Sequence, residues 1–139
     1  MSIKTWAMVF GVVFLVVGIL GFVPGITSDG HLLGIFEVDT THNVIHVLSG
    51  ILALLAGMGA GTYARLYFKV FGVVYALVTV LGFVQGDNVL GLIGVNMADN
   101  ILHLVIALLA LWIGFGMKDN MARQNMGGMQ EDKMQGEQM

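Results

Sequence analysis

Phe10-Gly11-Val12-Val13-Phe14 returns as Phe71-Gly72-Val73-Val74-Tyr75, and Leu20-Gly21-Phe22-Val23-Pro24-Gly25 returns as Leu81-Gly82-Phe83-Val84-Gln85-Gly86. Further along, Leu33-Gly34 matches Leu90-Gly91, Val38-Asp39 matches Val95-Asn96, and Asn43-x-x-His46 matches Asn100-x-x-His103. The chain is one unit written twice, with a slightly longer loop in the first copy. Each copy carries two long apolar runs, at 6–23 and 43–61, then at 66–84 and 100–117. A helix needs about 20 mostly apolar residues to cross the hydrocarbon core of a membrane. Without water to bond the backbone, such runs must be helical, because a barrel needs many short alternating strands instead. The repeat also settles the first run. Its lysine and apolar stretch suit a signal peptide, but no small-x-small cleavage site follows. The same segment recurs in mid-chain, where only a membrane helix fits.

The expected fold is therefore all-α and integral to the membrane. It has four transmembrane helices as two tandem helix–loop–helix repeats, with a pseudo-twofold axis along the membrane normal. The transmembrane domain takes residues 1–117, with repeat one at 4–61 and repeat two at 65–117. The polar remainder, 118–139, reads as a disordered cytoplasmic tail. Its five methionines allow a Cu(I) reading, but their spacing is irregular and no His or Cys stands nearby.

Composition narrows the function. Of the 139 residues, 57% are hydrophobic and only 11% charged, against about 25% charged in a typical soluble domain. There is no cysteine, which removes disulfides, thiolate metal sites, iron–sulfur clusters and cysteine nucleophiles. The net charge is −3 with no basic stripe, so nucleic acid is not an expected partner. Ser28 and Ser49 are the only serines beyond the N-terminus, and neither has a nucleophile context. A permeation path needs polar groups across the whole membrane, and the inner halves of these helices offer little beyond Thr79.

Every Lys and Arg (Lys4, Arg65, Lys69, Lys118, Arg123, Lys133) falls at the N-terminus, near the middle connection or in the tail. The positive-inside rule then puts both termini in the cytoplasm of a multi-pass cell-membrane protein. Trp6 and Tyr67 take matching positions beside Lys4 and Arg65, as an interfacial aromatic belt would, and Lys69 can snorkel back to that interface. The outer loops hold Asp29, Glu37, Asp39, Asp87 and Asp99, and the histidines lie on the same side. Two short apolar pieces, Leu32-Leu33-Gly34-Ile35-Phe36 and Val89-Leu90-Gly91-Leu92-Ile93, read as caps dipping onto the bundle.

The helix faces place the candidate site. His42, His46, Gly50, Ala53 and Gly57 share one face of the second helix, and Asp99, His103, Ala107, Ala110 and Gly114 repeat it on the fourth. The first helix aligns Gly11, Gly18, Gly21 and Gly25, and the third aligns Gly72, Thr79, Gly82 and Gly86. Small residues line close helix contacts in membranes, so these faces and the histidines should point inward. Asp39 and Asn96 stand just before a helix and read as N-caps. Asp99 sits at the third helical position, where it completes a capping box. The matching pair Asn43 and Asn100 can bridge to the loops. His46 and His103 can donate to a carbonyl or to each other, and the whole cluster then pins the outer end of the bundle. His31 reads as a solvated loop residue.

The same residues also fit a cofactor. His42 and His46 at i, i+4 can chelate one ion, and Asp99 and His103 on a facing helix complete a set suited to Zn(II), Cu(II) or Ni(II). Alternatively, His46 and His103 are axial ligands of a b-type haem, with Gly50 and Ala107 leaving room for the ring. Ionisable groups inside a membrane point to function, although these lie near the interface.

Leu33-Gly34-Ile35-Phe36-x-Val38-x-x-x-His42-Asn43-x-x-His46 and the later Asn96-x-x-Asp99-Asn100-x-x-His103 carry a family resemblance. The chain resembles a family of small bacterial four-helix membrane proteins catalogued as domain of unknown function 4383, over about 6–116. That resemblance implies bacterial origin, an inner-membrane location and four spans. It supplies no activity. Read from its residues, the protein is expected to be non-enzymatic, with a structural or interaction role. Its expected partners are the lipid bilayer and either a second copy or another membrane protein. The alternative is a metal- or haem-binding membrane protein that uses inward-facing histidines.

Overall fold

The computed structural model describes residues 1–118 and 120–139, and side chains over 1–118 and 127–139. Helix α1 spans Ile3–Leu20, α2 Thr40–Met58, α3 Gly61–Gln85 and α4 Met97–Leu111. Helix α4 runs on as a π-helical turn, Trp112–Gly116. Among the described residues, four helices are long and apolar enough to span a membrane, the fourth counted from Met97 to Gly116. The chain is a multi-pass membrane protein.

Local chemistry sets the helix ends. Helix α1 begins three residues before the expected run because the Ser2 hydroxyl accepts from the Thr5 backbone N–H. It ends ahead of Pro24, and the Thr27 hydroxyl donates to the carbonyl of Leu20 at 2.9 Å. Helix α2 is capped by Asp39 and α4 by Asn96, as their positions before the helices suggest.

The connections between α1 and α2 and between α3 and α4 hold small hairpins. Strands β1 Thr27–Ser28, β2 His31–Leu32 and β3 Phe36–Glu37 form a three-stranded antiparallel sheet. Strands β4 Asn88–Val89 and β5 Ile93–Gly94 form a second, two-stranded one. Each hairpin tip is a Leu-Gly pair with both residues left-handed, Leu33 and Gly34 at φ 54° and 71°, Leu90 and Gly91 at φ 55° and 69°. Leu32 and Val89 are buried beneath the hairpins, whereas Leu33, Ile35, Leu90 and Leu92 face outward. The apolar pieces thus divide between a residue that covers the bundle and residues that leave it.

Most interhelical packing runs along α1 with α2 and along α3 with α4. Glycine allows it. A Cβ at Gly50 would stand 2.8 Å from the backbone N of Leu15, one at Gly18 2.9 Å from that of Val47. In the other hairpin of helices, a Cβ at Gly72 would stand 2.9 Å from the N of Leu111, and one at Gly114 2.8 Å from that of Lys69. Real Cβ atoms do not sit that close to backbone, so these positions admit no larger residue without parting the helices.

The two pairs meet along α1 and α3 through an aromatic seam. Phe10 lies edge-on to Phe68 at 5.0 Å, Phe14 edge-on to Phe71 at 5.2 Å, and Phe71 stacks on Tyr75 at 4.2 Å. Phe10 and Phe14 occupy the repeat positions of Phe71 and Tyr75, so each copy contributes the same pair of rings. Outward, all four helices present aliphatic side chains such as Val16, Leu52, Leu77 and Leu108, a surface suited to lipid.

The end of the bundle away from the hairpins has contacts of its own. The Tyr67 hydroxyl donates to the Ser49 carbonyl at 3.1 Å and its ring stacks on Phe71. Arg65 donates to the Gly114 carbonyl at 3.0 Å, within the π turn, and the Lys69 ammonium lies over the Phe115 ring. The tail carries helix α5, Asn120–Glu137. It has no proline and is rich in Met and Gln, both good helix formers, and 127–139 are exposed throughout.

Gly50→Ala and Gly72→Ala are expected to lower the thermal stability of the detergent-solubilised protein by about 1–3 kcal/mol each. Gly127→Ala, with nothing within 4 Å of the added methyl, is expected to leave it unchanged. Melting followed by circular dichroism checks all three.

Candidate metal centre

Helices α2 and α4 approach each other near their N-terminal ends, where reciprocal hydrogen bonds to the hairpins hold them. The Asp39 carboxylate caps its own helix at His42 N, 2.7 Å away, and also accepts from Gly94 N in the other repeat. The Asp99 carboxylate accepts from Asn96 N at 2.9 Å, closing the capping box, and from Glu37 N at 2.9 Å in the other repeat. Asn96 adds a bond from its side-chain amide to Ile35 O at 2.8 Å. Each repeat's hairpin is therefore bonded to the other repeat's helix start. Glu37 and Gly94 are repeat equivalents, one place before Val38 and Val95.

This clasp brings three imidazoles together. His42 and His46, one turn apart on α2, have ring centroids 4.6 Å apart, and His103 on α4 lies 5.7 Å from His42. One ligating nitrogen from each lies within 4.8 Å of the others. His42 and His103 are 2% and 4% exposed, and His46 is partly covered. Phe14 walls His46 at 5.3 Å and Tyr75 walls His103 at 5.4 Å, both edge-on.

The hydrogen bonds of the triad are incomplete in a particular way. His42 Nδ1 faces the carbonyl of Gly94 at 3.0 Å. A carbonyl only accepts, so Nδ1 carries the proton and Nε2 keeps its lone pair. That Nε2, together with His46 Nδ1 and His103 Nδ1, is buried without a hydrogen-bond partner. A buried polar atom left without a partner costs about 1–3 kcal/mol. Three of them stand within one cluster, and with its lone pair there each nitrogen could serve a metal ion. The His42–Gly94 bond is the outer support that metal-binding histidines commonly have, fixing both tautomer and ring orientation.

Of the four residues read as a ligand set, the structure unites His42, His46 and His103. Asp99 stands outside the triad because its carboxylate is taken up by the two backbone N–H groups. The haem version does not fit. The His42 ring lies against both His46 and His103, and Phe14 and Tyr75 close the flanks, so rings fill the space a macrocycle needs. Gly50 gives no room either, since it is packed on the backbone of α1. The symmetric pair Asn43 and Asn100 does not bridge to the loops. Each is 3% exposed and lies flat on a glycine of the partner helix, Asn43 on Gly21 and Asn100 on Gly82, where a Cβ would overlap the amide oxygen. His31 is separate from the site and bonds the Asp29 carbonyl. Sequence reasoning missed the backbone partners Glu37 and Gly94 and the walls Phe14 and Tyr75. Glu37 and Gly94 could have been found as equivalents next to the capping residues.

A family model described as Domain of unknown function (DUF4383) matches residues 4–116. No curated protein and no solved structure matches the chain.

Asp39→Ala and Asp99→Ala each remove an acceptor shared by two backbone N–H groups. Each is expected to destabilise the protein by about 1–3 kcal/mol in thermal unfolding. Asp87→Ala, at an exposed loop position, is expected to stay within about 0.5 kcal/mol of the parent.

Proposed function

We propose that this chain, which belongs to the family of Domain of unknown function (DUF4383), is a metal-binding membrane protein with a three-histidine centre near its outer face. The convergence of three imidazoles, each with a buried nitrogen that has no partner, carries this reading. Three neutral nitrogen donors suit Zn(II), Cu(II) or Ni(II). An ion with bonds of about 2.0–2.1 Å in tetrahedral geometry spaces its ligand atoms about 3.3 Å apart, so modest rotations of the rings close the observed spacing around it. Three protein ligands leave one coordination position free.

The clasp of Asp39, Asn96 and Asp99 supplies the structural part of the role. It holds α2 and α4 in register so that His103 meets the α2 pair. The matching contacts of Gly11 with Leu54 and Gly72 with Leu111, and of Gly21 with Asn43 and Gly82 with Asn100, support a pseudo-twofold relation between the repeats. The distribution of Lys and Arg supports cytoplasmic termini, which puts the triad on the extracytoplasmic side.

Protein purified without a metal-binding tag is expected to carry close to one transition-metal ion per chain by elemental analysis, or to take up Co(II) stoichiometrically after chelation. His42→Ala, His46→Ala and His103→Ala are each expected to abolish this, whereas Asp99→Asn keeps it. At a free concentration a hundredfold above Kd, the metal should raise the parent's stability by about 2.7 kcal/mol and leave the histidine variants unmoved. A parent that stays metal-free and melts identically with and without metal would overturn the proposal.

The chain has no native cysteine, so topology is readable from single introduced ones. In intact cells, Asp87→Cys is expected to react with a membrane-impermeant maleimide and Lys118→Cys only after lysis. The reverse pattern would move the triad to the cytoplasmic side.

A further inference from the structure

Helices α2 and α3 do not close on each other along their length. Between them runs a groove of about 630 Å³, within the range of sites that hold small organic ligands. One end lies among Leu55, Ala56, Tyr63 and Leu66, and the other reaches Ile93, His42 and His103. Along α2 that is His42 to Ala56, fifteen residues, or about 20 Å of helix. Leu52, Leu66, Val70 and Val74 border the groove and are all about half exposed, so it opens sideways, toward the region lipid fills.

Three features define an occupant. The first is charge: no Lys, Arg, Asp or Glu lines the groove, which disfavours a charged headgroup in a low-dielectric setting. The second is shape: Tyr67, Phe71 and Tyr75 stack in series on α3, at 5.0 and 4.2 Å with interplanar angles of 24° and 22°. They present a continuous aromatic wall that favours a ring beside it. The third is the polar end. His42 and His103 line the groove, are more than nine-tenths buried, and each has a ring nitrogen without a partner.

We infer that this groove binds a long-tailed phenol that enters from the bilayer and brings its hydroxyl oxygen to the free position of the three-histidine metal. The inference rests on the metal reading above and adds the class of ligand and its route. The neutral aromatic head follows the α3 wall, and the apolar tail fills the groove toward Leu55 and Leu66. A ligand from water would have to cross the paired hairpins, whereas one from lipid meets an open side.

The test uses the full chain in lipid nanodiscs, loaded with Co(II), whose visible spectrum reports coordination. The probes are 4-decylphenol, decylbenzene as the same tail without the hydroxyl, and phenol as the head without the tail. The expected result is a shift of the Co(II) bands by 4-decylphenol at micromolar concentration and none by decylbenzene. Phenol should act only at concentrations about a hundredfold or more higher. Val74→Trp and Leu52→Trp fill the groove from opposite walls at exposed positions. Both are expected to keep the Co(II) spectrum and to weaken the 4-decylphenol response about tenfold or more. Co(II) bands that ignore 4-decylphenol, or a response that survives both tryptophan variants, would overturn the inference and leave the metal centre standing. Equal effects of decylbenzene and 4-decylphenol would make the groove a seat for an acyl chain alone, and would also overturn it. A parent that binds no Co(II) removes the metal reading and this inference together.

Discussion

Two carboxylates join the halves of this molecule. Asp39 and Asp99 each satisfy a backbone N–H at the start of their own helix and a second in the hairpin of the other repeat. A helix start has donors with no partner inside the helix, and a hairpin edge has unpaired donors of its own. Near a membrane both need partners, and water is scarce. One carboxylate meets both needs at once, and its negative charge also suits the positive end of the helix. Without these bonds, the contact of α2 with α4 would rest on the Asn96–Ile35 and His42–Gly94 hydrogen bonds and on packing through α1 and α3.

The polar groups around the triad differ in how well they are satisfied. The carboxylates of Asp39 and Asp99 and the amide of Asn96 find backbone partners on both repeats. The three histidines have a free nitrogen each. A purely structural cluster has every reason to use those nitrogens, since backbone carbonyls are plentiful at the hairpins and one of them already serves His42 Nδ1. The bond to Gly94 holds the His42 ring in place, and unmade bonds fall on a nitrogen of each histidine and on the amide oxygens of Asn43 and Asn100. A supported ring with a free nitrogen, as at His42, is the arrangement on which the proposed metal site rests.

Packing in the rest of the bundle follows from the solvent. In lipid an apolar side chain gains little by leaving the surface, so helices associate through close backbone contact and shape. The glycines at 11, 18, 50, 72 and 114 supply that contact. The large aromatics are kept for the seam between α1 and α3, where rings from both repeats interlock edge-on. Strong pairing within each repeat and a single seam between them leave α2 and α3 apart. The groove between them results from that arrangement.

The amino-acid sequence alone determined the four spans, the caps at Asp39 and Asn96, and the inward direction of the histidines. Each of these depends on local periodicity or on residues close along the chain, which hydropathy, spacing and capping chemistry record directly. Only the tertiary structure decided how the copies face each other. Asp99 sits one turn ahead of His103 on the same face, so spacing enters it as a ligand, yet its oxygens are taken by Asn96 N and by Glu37 N sixty-two residues away. Gly50 looks like space for a cofactor until α1 is seen packed on it. The outer caps read as apolar loops, but the left-handed Leu33 and Leu90 turn them into hairpins that expose half of their apolar residues. The groove belongs to no segment, since its walls come from α2, α3, β5 and α4. In each case the deciding partner lies far along the chain, and a repeat period carries no information about the distance or rotation between its copies.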